Sequence, residues 1–532
     1  MAGMKRTRSS LRSYFQNPRA VVTAFPRAYT SSNGISSTKL KSQTTDWNAR
    51  DEFFKFTRGR FVLDENQNVR KREVLFDMNE LVKVAANSVG AAQCVDFRKL
   101  THGMFNKALL MLMDDGQEVV AKIPNPNAGR AHCTTASEVA TIDFIRRVLD
   151  TPAPRVYAWN SNAPSHSVGA EYIIMEKAKG VPLSQVWDAM PLPQKLQVLL
   201  ALVQIQKRWL SISFSHYGGL YYASDVRSPS AGHYIEDGTV ARDSESVVGP
   251  ATGRDWHDAG RASLDIRRGP WASLSQYLRS IGERETKATQ ILSPPKQIAL
   301  FCGPKLYQPD PKEKLTALSQ YHKIADAILP GNKTICAPYL WHDDLHGDNI
   351  FVDPNNPGKI TAIIDWQSCH ISPLFNHNAD PAFLDWEGLE PENLDLTPKP
   401  DLAGLSSEEK SAALPYRMFE YGEAHFQSLL VDLKDTWPTL TAATGQSQFP
   451  FNFSGVEIER IKSKGDCAVA ETELVAQVKE TMGELWPDKG LIDHQLYDSC
   501  RAALKEMKEQ LIEQLALNEE ERAEYERYWP FD

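Results

Sequence analysis

The sequence predicts an α+β protein in two lobes: a small antiparallel sheet with one main helix, then a large, mostly helical lobe. Three observations lead there. Between about residues 95 and 178, runs of β-type residues flank a single helical period. Beyond Pro182 the apolar spacing becomes mainly helical. A His, several acids and an Asn then crowd around two short apolar runs in WHDDLHGDNIFVDPNNPGKITAIIDWQ, residues 341–367.

Residues 1–45 hold eight Lys or Arg and no acid, and are rich in Ser. Leu11, Phe15 and Val22 are spaced for a loose amphipathic helix, the composition of a mitochondrial transit peptide. A disordered basic tail and a chloroplast address share that composition. From Asp46 an aromatic cluster, DWNARDEFFKFTRGRFV, leads to a helix around MNELVKVAANSV. ALLMLMDDGQEVVAKI reads as two strands about a D-D-G-Q turn, a hairpin. TTASEVATIDFIRRVL places Val139, Ile142, Ile145 and Val148 at helical spacing. Residues 156–159 and GAEYIIMEKAKG supply two further strands. A polar, Gly-rich stretch at about 225–270 interrupts the later helices. Residues 400–532 alternate charged and apolar positions and read as helices closing the larger lobe.

Bulk properties exclude several classes. The net charge is −9, and without its basic first 45 residues the chain is more acidic still, which opposes nonspecific nucleic-acid binding. No stretch approaches the roughly 18–20 unbroken apolar residues of a membrane span. Seven scattered Cys without a C-x-x-C pair argue against a disulfide scaffold or zinc cluster.

The 341–367 stretch carries His342-x-Asp344, with Asn349 five residues after that Asp. Strand 350–352, a Pro-Asn-Asn-Pro-Gly turn and strand 360–364 then deliver Asp365. If the strands pair, Asn349 and Asp365 return to one end. Phosphoryl transfer needs that layout: a carboxylate facing a hydroxyl, with Asn and a second Asp as hard oxygen ligands to Mg²⁺ on the phosphates of ATP. It also needs a cation. Lys122 lies inside the apolar run Val119–Ile123, where an ammonium requires an anion, and Glu138 sixteen residues on is placed to pair with it.

This combination resembles the aminoglycoside phosphotransferase and choline kinase branch of the protein-kinase-like fold, over about residues 95–390. The resemblance implies Asp344 as catalytic base, Asn349 and Asp365 as metal ligands, and Lys122 with Glu138 as the ion pair. H-G-M-F-N-K, A-K-I-P, T-T-A-S-E-V-A, W-H-D-D-L-H, R-G-P-W at 268–271 and W-P-F-D further resemble the fungal altered inheritance of mitochondria protein 9 family. Two features separate the chain from protein kinases. His346 stands where they carry Lys, and no A-P-E follows Asp365, so a small-molecule acceptor is expected.

The expected organisation is a 1–45 transit peptide or disordered tail, a 46–94 extension, and a 95–178 N-lobe with its hinge. A 179–399 C-lobe with the catalytic loop and a 400–532 helical extension follow. Several residues keep two readings. Thr135-Ala136-Ser137-Glu138 is also a helix capping box. Gly103 sits where a phosphate loop belongs, with Lys107 as an added charge, but one Gly in a turn is a weak signal. Glu176 and Ala178 sit where a hinge offers a carbonyl and an amide to adenine, or simply connect the lobes. Arg254, Arg261, Arg267 and Arg268 suit either an anionic substrate or a salt-bridged insertion. Asp343 departs from the family's usual Gly and is expected to be structural or solvated, and His342 to support the loop. The expected activity is a mitochondrial ATP- and Mg²⁺-dependent phosphotransferase acting on a hydroxyl. A nonenzymatic pseudokinase scaffold and nucleotidyl transfer at the same site remain alternatives.

Overall fold

The computed structural model describes residues 46–100, 103–227, 233–293, 301–304, 306–377, 422–440 and 448–532. The expected transit peptide therefore lies outside the described residues. Helix α1 (Met78–Val89) begins where the Asp77 carboxylate accepts the Glu80 N–H at 3.0 Å and ends at Gly90, φ +75°. Its apolar face, Met78, Leu81, Val82, Ala85 and Ala86, follows the helical period.

Five antiparallel strands come next: β1 (Cys94–Lys99), β2 (Asn106–Met113), β3 (Glu118–Pro124), then, beyond helix α2 (Cys133–Arg147), β4 (Val156–Asn160) and β5 (Tyr172–Glu176). Their order is β1-β2-β3-β5-β4. The expected hairpin forms, with Leu112 opposite Glu118 and Gly116 in the left-handed region at φ +85°. Side-chain alternation sorts the strands onto two faces. Leu109, Met111, Val119, Ala121 and Ile123 pack with α1, whereas Ile173 and Met175 pack with Val139 of α2. The sheet is thus covered on both sides, by α2 as expected and by the 46–94 extension. Trp47 and Phe53 of that extension both lie 4.4 Å from Phe97.

The link to the second lobe is tight. Gly180 sits at φ +94°, and a Cβ there would lie 2.1 Å from the Val352 carbonyl oxygen. Both a positive φ and space require glycine. Gly180→Ala is expected to destabilise the fold by about 2–4 kcal/mol, read as a lowered denaturation midpoint with an unchanged m-value.

The larger lobe contains α3 (Leu192–Leu210), α4 (Leu274–Ile291) and α5 (Pro311–Ile324), then the hairpin β6 (Ile350–Asp353) and β7 (Asn356–Ile363). Val181 and Pro182 pair with Val352 and Phe351, so the link joins the hairpin directly. Trp209, Trp341 and Trp366 meet edge-to-face at 5.1 and 5.5 Å in the core beneath it. Part of the expected polar interruption forms strands. Gly219–Tyr222 pairs with Ser246–Gly249, and Tyr221 and Val247 pack on Ala136 of α2. Helices Gly422–Leu440, Gly455–Met482, Tyr497–Leu515 and Glu519–Tyr528 complete the described lobe. Arg60 and Phe61 of the extension pair with Ile492 and Leu491. The architecture is the expected bilobal, protein-kinase-like α+β fold.

Candidate active site

The pairing of β6 with β7 brings the sequence motif together. Ile350 faces Ile363, and the Ile364 N–H donates to the Asn349 carbonyl at 2.9 Å, so Asp365 emerges beside Asn349. Asp365 has φ +61°, a left-handed conformation that Asp tolerates better than most residues. The strain aims its carboxylate at the other lobe. Lys122 Nζ, on the α2 face of β3, lies 2.6 Å from Glu138 Oε1 and 2.6 Å from Asp365 Oδ1. Lys122 and Glu138 are buried. Burial favours the neutral amine, but the two carboxylates outweigh it and hold Lys122 well above the ordinary lysine range. Burial likewise opposes ionisation of Asp365, yet the Lys122 ammonium draws its carboxyl below its usual value.

Glu138 lies in the second turn of α2, because the helix starts at Cys133 with His132 as its N-cap. The capping-box reading is therefore corrected. Glu171 serves the helix start instead, accepting from the His132 N–H at 2.8 Å and the Thr135 hydroxyl at 2.5 Å.

Asp344 is exposed at the loop before β6. Contact with His346, whose Nε2 is 3.6 Å away, lowers the Asp344 pKa, leaving it ionised at neutral pH. Asn349 Nδ2 donates to the Asp344 carbonyl at 2.9 Å, so the amide oxygen is the atom it would offer a metal. An ionised carboxylate and an amide oxygen suit Mg²⁺, with phosphate and water completing its shell. Among the described residues no group of three His, Cys, Asp or Glu is placed to hold a metal. Buried His342 donates from Nε2 to the Ile364 carbonyl at 2.9 Å and packs edge-on against Trp366 at 4.6 Å. It supports the Asp365 turn, as expected.

Asp343, an exposed residue, turns its carboxylate to two imidazoles. Its oxygens lie 3.1 Å from His370 Nδ1 and 2.9 Å from His377 Nδ1. Burial opposes protonation of His370, but the Asp343 carboxylate overrides this and pushes it up to about 9. Asp343 is correspondingly depressed by the two imidazoles, which overcome the desolvation of its carboxylate. A raised His contributes stability below its unfolded pKa and loses it as pH rises through the folded value. A depressed Asp contributes above its unfolded pKa and loses it as pH falls. The advantage of the natural protein over Asp343→Asn is therefore expected to be largest between about pH 4 and 6.5, and absent above about pH 9, in denaturation measured against pH.

Other candidates divide. Gly103 precedes Asn106, whose side-chain amide bridges to Gln367, two residues past Asp365, at 2.7 and 3.3 Å. The loop is thus held against the Asp365 segment, although a Cβ at Gly103 would fit without close contact. Lys107 does not add charge there. It faces Ile123 rather than Lys122 in the ladder, so alternation sends it to the opposite side, where it donates to the Arg72 carbonyl at 2.7 Å. Glu176 closes β5 opposite Val119, its N–H donating to the Arg155 carbonyl at 2.8 Å, and half-buried Ala178 follows in the link.

The arginines are spent internally. Arg261 forks onto Glu285 at 2.8 Å through both nitrogens, and Arg268 donates to several carbonyls. Arg267 donates to the Pro270 carbonyl. Arg254 stacks 3.5 Å from the Phe105 ring and bonds Asn127 and Ala128. The anion-binding reading gives way to the salt-bridged insertion. Sequence reasoning missed the Asn106–Gln367 bridge and the Arg254–Phe105 stack, for which no local signal existed.

The two lobes thus bring one ammonium between two carboxylates beside an H-x-D-x-x-x-x-N loop. Residues 294–376, which include Asp344, Asn349 and Asp365, match the model of the Phosphotransferase enzyme family, in line with the resemblance read from the motifs. The chain is 32% identical over 338 residues to a subtelomeric hrmA-associated cluster protein of Aspergillus fumigatus, covering 58% of this chain and 64% of that relative. It is 24% identical over 392 residues to altered inheritance of mitochondria protein 9, mitochondrial, of Yarrowia lipolytica, covering 68% of this chain and 65% of the relative. The chain thus spans somewhat less than two thirds of the length of these relatives. Among solved structures, aminoglycoside phosphotransferase APH(4)-Ia aligns with 14% identity and a TM-score of 0.31, over 73% of this chain and 99% of that one. No helix among the described residues is long and apolar enough to cross a membrane.

Proposed function

We propose that the protein is a mitochondrial phosphotransferase that moves the terminal phosphate of ATP, with Mg²⁺, to the hydroxyl of a small molecule. The supporting observation is the Lys122 ammonium held 2.6 Å from carboxylates on two different lobes. Asp344 orients the acceptor hydroxyl and takes its proton. Lys122, oriented by Glu138, stabilises charge on the phosphates. Asn349 and Asp365 hold the metal, which supplies charge neutralisation when bound. Glu176 and Ala178 meet the nucleotide base, and the Gly103 loop covers the phosphates. The basic N-terminal segment and the names of the mitochondrial relatives support the location.

The pseudokinase scaffold has its own support in the glycine-poor loop and in Lys107, which is turned away from the site. A metabolite screen with ATP, Mg²⁺ and mass detection separates the readings. A product heavier by one phosphate, absent from Asp365→Ala, is expected. Tight ATP binding without any product across the screen supports the scaffold instead, and a product heavier by one adenylate makes the reaction nucleotidyl transfer.

A further inference from the structure

Five of the large apolar side chains most exposed in the described structure lie on one helix, α3. Leu192, Leu196, Leu200, Val203 and Leu210 are 68, 50, 64, 43 and 37% exposed. At 3.6 residues per turn these positions share an arc of roughly 80°. The opposite side, Val198, Leu202 and Trp209, is buried in the lobe's core. The helix therefore has two apolar faces, and only one has a partner among the described residues. A contiguous exposed stripe of this kind marks an interaction site.

Charge selects the occupant. α3 contains no acid, and it carries Lys195, Lys207 and Arg208 in a protein whose net charge is −9. Lys207 falls on the stripe between Val203 and Leu210, whereas Lys195 lies about 60° beyond one edge with its ammonium over the Trp187 ring, and Arg208 lies about 80° beyond the other, bonded to the Val148 carbonyl and beside Glu236. A long basic side chain at the Lys207 position buries its stem in an apolar layer and keeps its charge in the headgroups. Asp188 precedes the helix, Glu236 is 3.5 Å from Arg208, and the Asp237 N–H donates to the carbonyl of the capping Ser211 at 3.3 Å. A second copy of the same face fits poorly, because a two-fold contact would set this acid-free helix against itself, like charge on like. An anionic phospholipid surface fits the apolar stripe and the Lys207 ammonium set within it.

We propose that α3 docks the protein peripherally on an anionic bilayer, lying in the interface without crossing it. Because the buried face of α3 packs against β6 and β7, docking holds the candidate site one helix away from the membrane. This reading does not depend on catalysis.

The test uses the full chain, whose basic N-terminus is common to every variant, with vesicles of phosphatidylcholine containing either none or about a third phosphatidylglycerol. Cosedimentation is expected with the anionic vesicles. Leu196→Glu with Leu200→Glu is expected to lower the bound fraction about tenfold, since both positions are exposed and the change leaves thermal unfolding unaltered. Lys207→Glu is expected to weaken binding to anionic vesicles alone. Equal binding by the double variant, or no binding by the natural chain, overturns the proposal. So does a dimer of the natural chain in light scattering that the double variant abolishes, because the occupant is then a second copy.

Discussion

Asp344→Asn is expected to lower the rate of phosphate transfer by about 10²–10⁴-fold while leaving the affinity for ATP within a factor of a few. The asymmetry follows from position. The Asp344 carboxylate is exposed at the mouth of the loop, whereas the ammonium and the oxygens proposed to hold the metal sit on other residues. Asn preserves the shape of the loop, because the contact that organises it, Asn349 Nδ2 to the Asp344 carbonyl, uses the backbone. What is lost is the charge that, in the proposed reaction, accepts the proton. His346 holds the Asp344 pKa below its ordinary value, so the carboxylate is ionised throughout the neutral range. Activity should not fall between about pH 8 and 5 through titration of Asp344, and an acid limb there would belong to another group. Single-turnover transfer and nucleotide binding, measured on the same preparations, check the result. Transfer at the parent rate by the Asn variant would remove Asp344 from the role of base.

Lys122→Met is expected to damage both catalysis and stability. Two carboxylates converge on one ammonium, and Glu138 is buried with little access to water. Removing the cation strands Glu138 in a low dielectric beside Asp365, and breaking a buried pair from one side costs about 3–5 kcal/mol. The cost should shrink at low pH. Burial already raises the Glu138 carboxyl, and without Lys122 it rises further, so protonation relieves the strain as pH falls. Glu138→Gln added to Lys122→Met is expected to recover most of the lost stability and none of the activity. Denaturation midpoints for the four members of this cycle measure the coupling. Equal stability of Lys122→Met and the natural protein at pH 8 would mean that the ammonium is not the element joining the two lobes.

Much of this arrangement was legible in the chain because its signals are local. The D-D-G-Q turn flanked by β-type residues announces the hairpin that carries Lys122. The helical period after Cys133 announces the helix that carries Glu138. The spacing from Asp344 to Asn349, and the two short runs before Asp365, announce one loop and one hairpin. Each of these depends on neighbours within about twenty residues, where periodicity and turn chemistry act.

What the tertiary structure alone decided lies between distant segments. Asp365 reaches Lys122 across 243 residues of sequence, and Gln367 meets Asn106 across 261. No local pattern encodes which of several charged side chains will converge. Lys107 and Lys122 occupy neighbouring strands, and only the pairing register sends one into the site and the other behind the sheet. Glu138 fitted two roles by sequence, and the start of α2 at Cys133, three residues before the capping box needed it, left it free for the ion pair. Local chemistry thus chose the elements and the residue types, while register and packing, which depend on contacts between chain segments far apart, chose their partners.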